Sequence, residues 1–282
     1  MRPHRGPPTT RPVPASESAG GPPEEIRIRR LDPSAITGVM SREAANFRTY
    51  WKGTAFSSIL EPIVYLLAFG VGLGATLIDG VDGLSYPEFV ATGMVATAVI
   101  FSSALPAMFG TFVKERFQNT YDAILAAPVD VEELVTAEML WIGLRSGFFG
   151  SFPLLVGIAF GLDPTPAMLL VPFFAFVTAL GFGAFGISVA ASVSKIDQFN
   201  YVTTLVITPL FLVAGTFFPI DQLPEGLQIA ANFNPLYQLV ELVRGAAFGF
   251  EAVDALRFLG LTAFSFVLWR VAVARMTKRL ID

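Results

Sequence analysis

FVKERFQNTYDAILAAPVDVEELVTAEMLWIGLR, residues Phe112 to Arg145, interrupts two hydrophobic segments with a pattern too regular for a plain connector. Lys114, Glu115 and Arg116 close one apolar run, and Asp130, Glu132 and Glu133 open the next. Between them, Phe117 to Pro128 holds one formal charge, Asp122, with Gln118 as a second polar group near its start. Phe117, Tyr121, Ile124 and Leu125 fall at i, i+4, i+7 and i+8, which is one face of a short helix. Pro128 ends that helix, and Asp130 followed by Glu133 reads as a capping box for the next one. An apolar face outside a bilayer has to be covered by lipid headgroups, by the protein's own helix ends or by a partner's groove.

That the flanking segments are membrane spans follows from composition. With 53% hydrophobic residues, 27 Phe and 15% charged residues, the 282-residue chain has too little polar surface to coat a soluble globule. The fold class expected is an all-α integral membrane protein with six spans near residues 54–78, 87–113, 130–160, 165–194, 199–218 and 254–275, each long enough for a hydrocarbon core of about 30 Å. Assigning the tail, the Lys114 loop, the Lys195 loop and the C-terminus to the cytoplasm places 16 of the 19 Lys and Arg there. The positive-inside rule then puts both termini in the cytoplasm.

Ahead of the spans, residues 1–31 form a Pro- and Arg-rich tail with almost no large apolar side chains, expected to be disordered, and residues 32–282 form one membrane domain. Asp32-Pro33 is a helix-start signal. In the helix that follows, Ile36, Val39, Met40, Phe47, Tyr50 and Trp51 share one face and Arg42, Arg48 and Lys52 the other, with Glu43 an exception on the apolar side. This predicts an amphipathic helix lying along the cytoplasmic membrane surface, with a topological anchor as its simplest role.

The informative charges inside predicted spans are Glu61 in the first, and Glu138 and Arg145, seven residues apart on one face, in the third, while Arg257 and Arg270 trim the uncharged centre of the sixth. Intramembrane charge is costly unless paired, so Arg145 is expected to be neutralised by Glu61 or Glu138. Between the last two spans, residues 219–253 are apolar but broken by Pro and Gly into pieces too short to cross. Asp221 opens a first piece and Asn234-Pro235 a second that Gly249 ends, either as a helix pair dipping into the outer leaflet or as an external cap. Glu241 and Arg244, at i and i+3, are expected to pair within the second piece. Small residues four apart, at Gly70/Gly74, Gly143/Gly147 and Gly186/Ala190/Ser194, predict close helix approach.

Chemistry is constrained mainly by what the chain lacks. There is no Cys, and the one His, His4, lies in the tail, so thiol, haem and metal chemistry are not expected. The four Lys are followed by Gly53, Glu115, Ile196 and Arg279, so none completes a phosphate-binding loop, which needs Ser or Thr there.

Two segments carry a family resemblance: FQNTYDAILAAPVDVEELVTAEMLW, from Phe117 to Trp141, and FFPIDQLPEGLQIAANFNPLYQLVELVRGAAFG, from Phe217 to Gly249. Both resemble type 2 ABC transporter permeases of the NodJ and daunorubicin-resistance kind, in the right order and at the right separation. The resemblance implies a non-enzymatic permease subunit in a bacterial cytoplasmic membrane that exports an amphipathic or lipid-linked cargo, such as a lipo-oligosaccharide, a glycan or a hydrophobic drug. It implies a second copy of the permease and a separate ATPase subunit, which would bind ATP and Mg; this chain would hold no cofactor. Phe117, Gln118, Tyr121, Asp122, Ile124, Leu125 and Pro128 would form the coupling helix that meets the ATPase. Pro219, Leu223, Pro224, Asn234, Pro235, Glu241 and Arg244 would belong to a re-entrant pair at the outer exit. Lipid is the expected environment, with no nucleic-acid partner. The competing class is an ion-coupled carrier or channel, which usually places charges at the midplane; spans two, four and five have none there. An embedded transferase would need an acidic or His cluster at the interface, and the sequence offers no such set.

Overall fold

The computed structural model describes residues 31–71 and 83–281, and these are almost wholly helical. The expected tail lies outside the described residues, as do the end of the first predicted span and Gly74.

Helix α1, Pro33–Tyr65, starts where Asp32 accepts from the Ser34 N–H at 2.8 Å, with proline in its first turn. Nothing between Lys52 and Thr54 stops it: Gly53 costs a helix interior only about 1 kcal/mol, and no proline or cap intervenes. The amphipathic segment and the start of the first apolar segment are therefore one unbroken helix, without the boundary expected near Thr54. A π-helical stretch, Leu66–Val71, continues it.

Helix α2, Tyr86–Arg116, contains Pro106 and is buried along most of its length. After α3, Thr120–Leu125, come α4, Val131–Gly150, and α5, Phe152–Ala159, with Ser151 at the junction. The capping box predicted for α4 is present: Glu133 accepts from the Asp130 N–H at 2.9 Å, and its other oxygen accepts from the Asp32 N–H at 2.8 Å, so one buried carboxylate ties the starts of α1 and α4 together. A 3₁₀ turn, Pro166–Leu170, leads into α6, Val171–Ser192.

The fifth predicted span is shorter than expected. Helix α7, Phe199–Val202, a π segment, Thr203–Ile207, and α8, Thr208–Leu212, contain four, five and five residues, about 21 Å in all. Pro209 lacks the N–H that would bond to the Leu205 carbonyl, and the ladder widens just before it, with the Thr208 hydroxyl donating to the Thr203 carbonyl at 3.0 Å. The chain then turns through Gly215, at φ 71°, instead of continuing to Phe218. Helices α9, Glu225–Asn232, and α10, Pro235–Phe248, follow, and α11, Ala252–Ile281, closes the fold.

Among the described residues, four helical stretches are long and apolar enough to cross a membrane: Tyr86–Arg116, Val131–Ala159, Pro166–Ser192 and Ala252–Ile281. Helices α2 and α6 form the centre; α6 packs on α2, α4 and α11, while α1 lies on α4. Two glycines set that closeness. A Cβ on Gly186 would sit 2.6 Å from the Ala104 carbonyl oxygen of α2, and one on Gly147 would sit 2.7 Å from the Phe176 backbone of α6.

Candidate functional site

Helix α3 lies in the loop between α2 and α4. Phe117 ends α2, its N–H donating to the Val113 carbonyl at 3.0 Å, and Asn119, at φ 49°, reverses the chain so that α3 begins only at Thr120. Phe117 is thus not on one helical face with Tyr121, and it is 69% exposed. Tyr121 faces the other way: it is 2% exposed and packs with Val39, Val131 and Leu134, and Ile124 and Leu125 cover the same cluster. The apolar face of the loop is covered by the protein's own helices. Gln118, Asp122 and Pro128 remain exposed.

The Tyr121 hydroxyl donates to Glu138 Oε2 at 2.9 Å. Burial, and then the neighbouring Glu138 charge, hold its pKa well above the usual tyrosine value of 10.0. Glu138 Oε1 takes Lys114 Nζ at 2.8 Å, and the same ammonium lies 3.1 Å from Glu43 Oε2. Arg42 completes the group with 2.9 Å to Glu43 Oε1. The carboxylate that looked misplaced on the apolar face of α1 is thus a partner for a lysine of α2. Neither Lys114 nor Glu43 stands out as a pairing residue in the sequence; the signal for Glu43 was its presence on that face.

Arg145 is not neutralised by either expected carboxylate. Lys114 occupies Glu138, and Glu61 makes no hydrogen bond or ion pair among the described residues. Instead Arg145 Nη2 donates to the Ser102 carbonyl at 3.0 Å, beside the Ser146 hydroxyl, which donates to the same oxygen at 2.8 Å. Pro106 explains that acceptor: four residues on, it has no N–H to give Ser102, so the carbonyl is free for a neighbouring helix.

On the other side of the bundle, the two predicted short helices are present. Asn234 caps α10, accepting from the Leu236 N–H at 3.0 Å, and its amide donates to the Leu210 and Val213 carbonyls at 2.7 and 3.1 Å. Pro235 opens the helix and Gly249, at φ 127°, ends it. The first piece starts at Glu225, not Asp221; Pro219 is buried, Leu223 half-buried and Pro224 exposed just before it. Glu241 and Arg244 pair at 3.2 Å, as the spacing predicted. The pair also extends further than predicted: Arg257 of α11 lies 3.1 Å from Glu241 and 2.7 Å from Asp254, and Arg244 reaches the Gly215 carbonyl at 2.8 Å and stacks 3.9 Å above the Phe89 ring.

The profile of the ABC-2 type transporter family matches residues 35–248, a range that holds the loop, the charge cluster and both short helices. The chain is 32% identical over 236 residues to a nodulation protein J of Rhizobium leguminosarum bv. trifolii, covering 82% of this chain and 90% of that one. It is 30% identical to a nodulation protein J of Neorhizobium galegae, covering 88% and 96%. The inner membrane transport permease YadH of Escherichia coli is 23% identical, covering 83% and 93%. Apolar helices long enough to span a bilayer, and likeness running through the loop and short-helix segments alike, lead to one assignment: the chain is a multi-pass membrane permease belonging to the ABC-2 type transporter family.

Proposed function

We propose that the chain is the membrane subunit of an ATP-driven exporter, moved by a separate ATPase that grips the exposed side of the α2–α4 loop. In this reading the domain, residues 32–282, crosses a bacterial cytoplasmic membrane six times with both termini inside, and residues 1–31 form a cytoplasmic tail. The N-terminal part of α1 lies at the inner surface, and α9 and α10 form a re-entrant pair near the outer exit. Two copies line the path of an amphipathic or lipid-linked cargo: a lipo-oligosaccharide, a glycan or a hydrophobic drug. ATP and Mg belong to the partner subunit.

The observation that supports this best is the Tyr121–Glu138–Lys114 connection. It fixes α3 to α4 and α2 at once, while Phe117, Gln118, Asp122 and Pro128 stay at the surface. A push on those exposed residues has no slack to take up before both long helices move, which is what rigid-body coupling requires. Tyr121, Ile124 and Leu125 serve as the attachment to the bundle, and the partner contact falls to the exposed residues.

Co-purification with a candidate ATPase subunit co-expressed with this chain tests the reading. The paired substitution Phe117→Ala with Asp122→Arg is expected to reduce the retained ATPase by about tenfold, the loss of roughly 1.4 kcal/mol of contact. Tyr121→Phe, a change beneath the surface, is expected to leave retention unchanged. Equal retention by the Phe117/Asp122 variant, or uphill transport by the purified chain on an ion gradient alone, would sink it.

A further inference from the structure

Between α1, α2 and α4 lies a cavity of about 350 Å³, within the size range of small-ligand sites. Glu61 and Arg145 both line it, with the hydroxyl residues Ser57, Ser58, Thr97 and Ser102 around them. Arg145 stands seven residues beyond Glu138 on α4, about 10 Å further along the helix. The cavity therefore sits deeper in the bundle than the Lys114 cluster.

Its walls have unmet polar capacity. Arg145 uses one donor on the Ser102 carbonyl and forms no ion pair among the described residues, leaving four N–H groups of its guanidinium. Glu61 has no partner among them either. Thr97 is 3% exposed and its hydroxyl has no hydrogen-bond partner among the described residues. Pro62 and Pro106 both line the cavity from inside helices, so each withholds an N–H from the carbonyl four residues earlier; Arg145 and Ser146 fill that place at Ser102, and at Ser58 it is left to a guest. An arginine, a carboxylate, hydroxyls and a proline-freed carbonyl facing one space inside a membrane span are an expensive arrangement to leave empty.

We propose that this cavity binds a polar headgroup that carries an anionic phosphate or carboxylate and hydrogen-bond donors on the same small unit. The planar guanidinium of Arg145 receives the anion, for which its fork of donors is suited. Glu61 and the Ser58 carbonyl accept from the donors of the headgroup, and the α1 hydroxyls line the same space. A sugar phosphate on exported cargo and the phosphoethanolamine of a bilayer lipid share this chemistry. The export reading above enters only in naming the first as cargo.

Binding is measured on the purified full chain in neutral maltoside micelles, without ATPase, so this test and the retention test fail independently. The probes are octyl glucoside 6-phosphate, short-chain phosphatidylethanolamine and uncharged octyl glucoside. At least one phosphate probe is expected to bind about tenfold more tightly than octyl glucoside. Arg145→Gln removes that preference and Arg145→Lys restores most of it, while Thr97→Val, which keeps the side-chain volume, weakens binding about threefold. Tighter binding of the sugar phosphate assigns the site to cargo, and tighter binding of the phospholipid assigns it to the bilayer. Equal binding of charged and uncharged probes, or a preference that survives both Arg145→Gln and Thr97→Val, overturns the proposal.

Discussion

Helices α1, α2 and α4 meet in two charged places, whose α4 members Glu138 and Arg145 are about 10 Å apart along that helix, and the two are built on opposite terms. At the Lys114 end every charge has a partner: two carboxylates share one ammonium, and a tyrosine and an arginine take the remaining oxygens. At the Arg145 end the same kinds of residue face a cavity, and the arginine holds only a carbonyl that proline released. Similar residues thus act as structure where neighbours complete them and as a receptor where they do not. The contrast predicts that substitutions at the two places differ in kind: the first should cost stability and the second should cost binding.

Lys114→Met carries the largest expected effect. It leaves the buried Glu138 without a cation and Glu43 with Arg42 alone, and breaking a buried pair in this way costs about 3 to 5 kcal/mol. The SDS-unfolding free energy of the purified chain in micelles measures it; a change below about 1 kcal/mol would erase the distinction between the two places. Tyr121→Phe comes next. It removes one hydrogen bond to an ionised carboxylate, worth about 1.5 to 3 kcal/mol. Because the fold raises the Tyr121 pKa, its contribution is complete below pH 10.0 and is lost as pH rises through the folded value. The stability gap between wild type and Tyr121→Phe should therefore close in alkali and stay constant from neutral pH to about 9. Arg145→Gln should change stability least, by less than about 1 kcal/mol, since the Ser146 hydroxyl still serves the Ser102 carbonyl. A loss as large as that of Lys114→Met would make Arg145 a structural ion after all.

The parts of this architecture legible in the sequence are those set by neighbours along the chain. Asp32-Pro33, Asp130 with Glu133, Asn234-Pro235 and Gly249 each mark a helix end where the structure has one, because a cap is satisfied within three or four residues. The Glu241–Arg244 pair was readable for the same reason. Pairings between helices were not. Glu138 and Arg145 share a face of α4, yet the ammonium that Glu138 meets comes from α2, 24 residues earlier, and the choice depends on how α2 and α4 pack. The face assigned to the loop failed at Phe117 because periodicity assumes one continuous helix, and Asn119 breaks it with a left-handed residue. The fifth segment was expected to run on to Phe218, and its shortening depends on where the chain turns at Gly215, outside any helical period. Pro106 stands in the second predicted span without a pattern that marks its missing donor as useful; that Arg145 takes the released carbonyl is set by the fold.

The unbroken course of α1 has a further mechanical meaning. Glu43, in the filled cluster, and Glu61, on the cavity wall, are separated along one helix by about 27 Å. A rigid rod pivoting at the Lys114 end by about 5° would swing Glu61 sideways by about 2 Å, enough to make or break its reach to a bound molecule. Geometry alone would then turn a small rotation at the Lys114 cluster into occupancy or release at the far cavity.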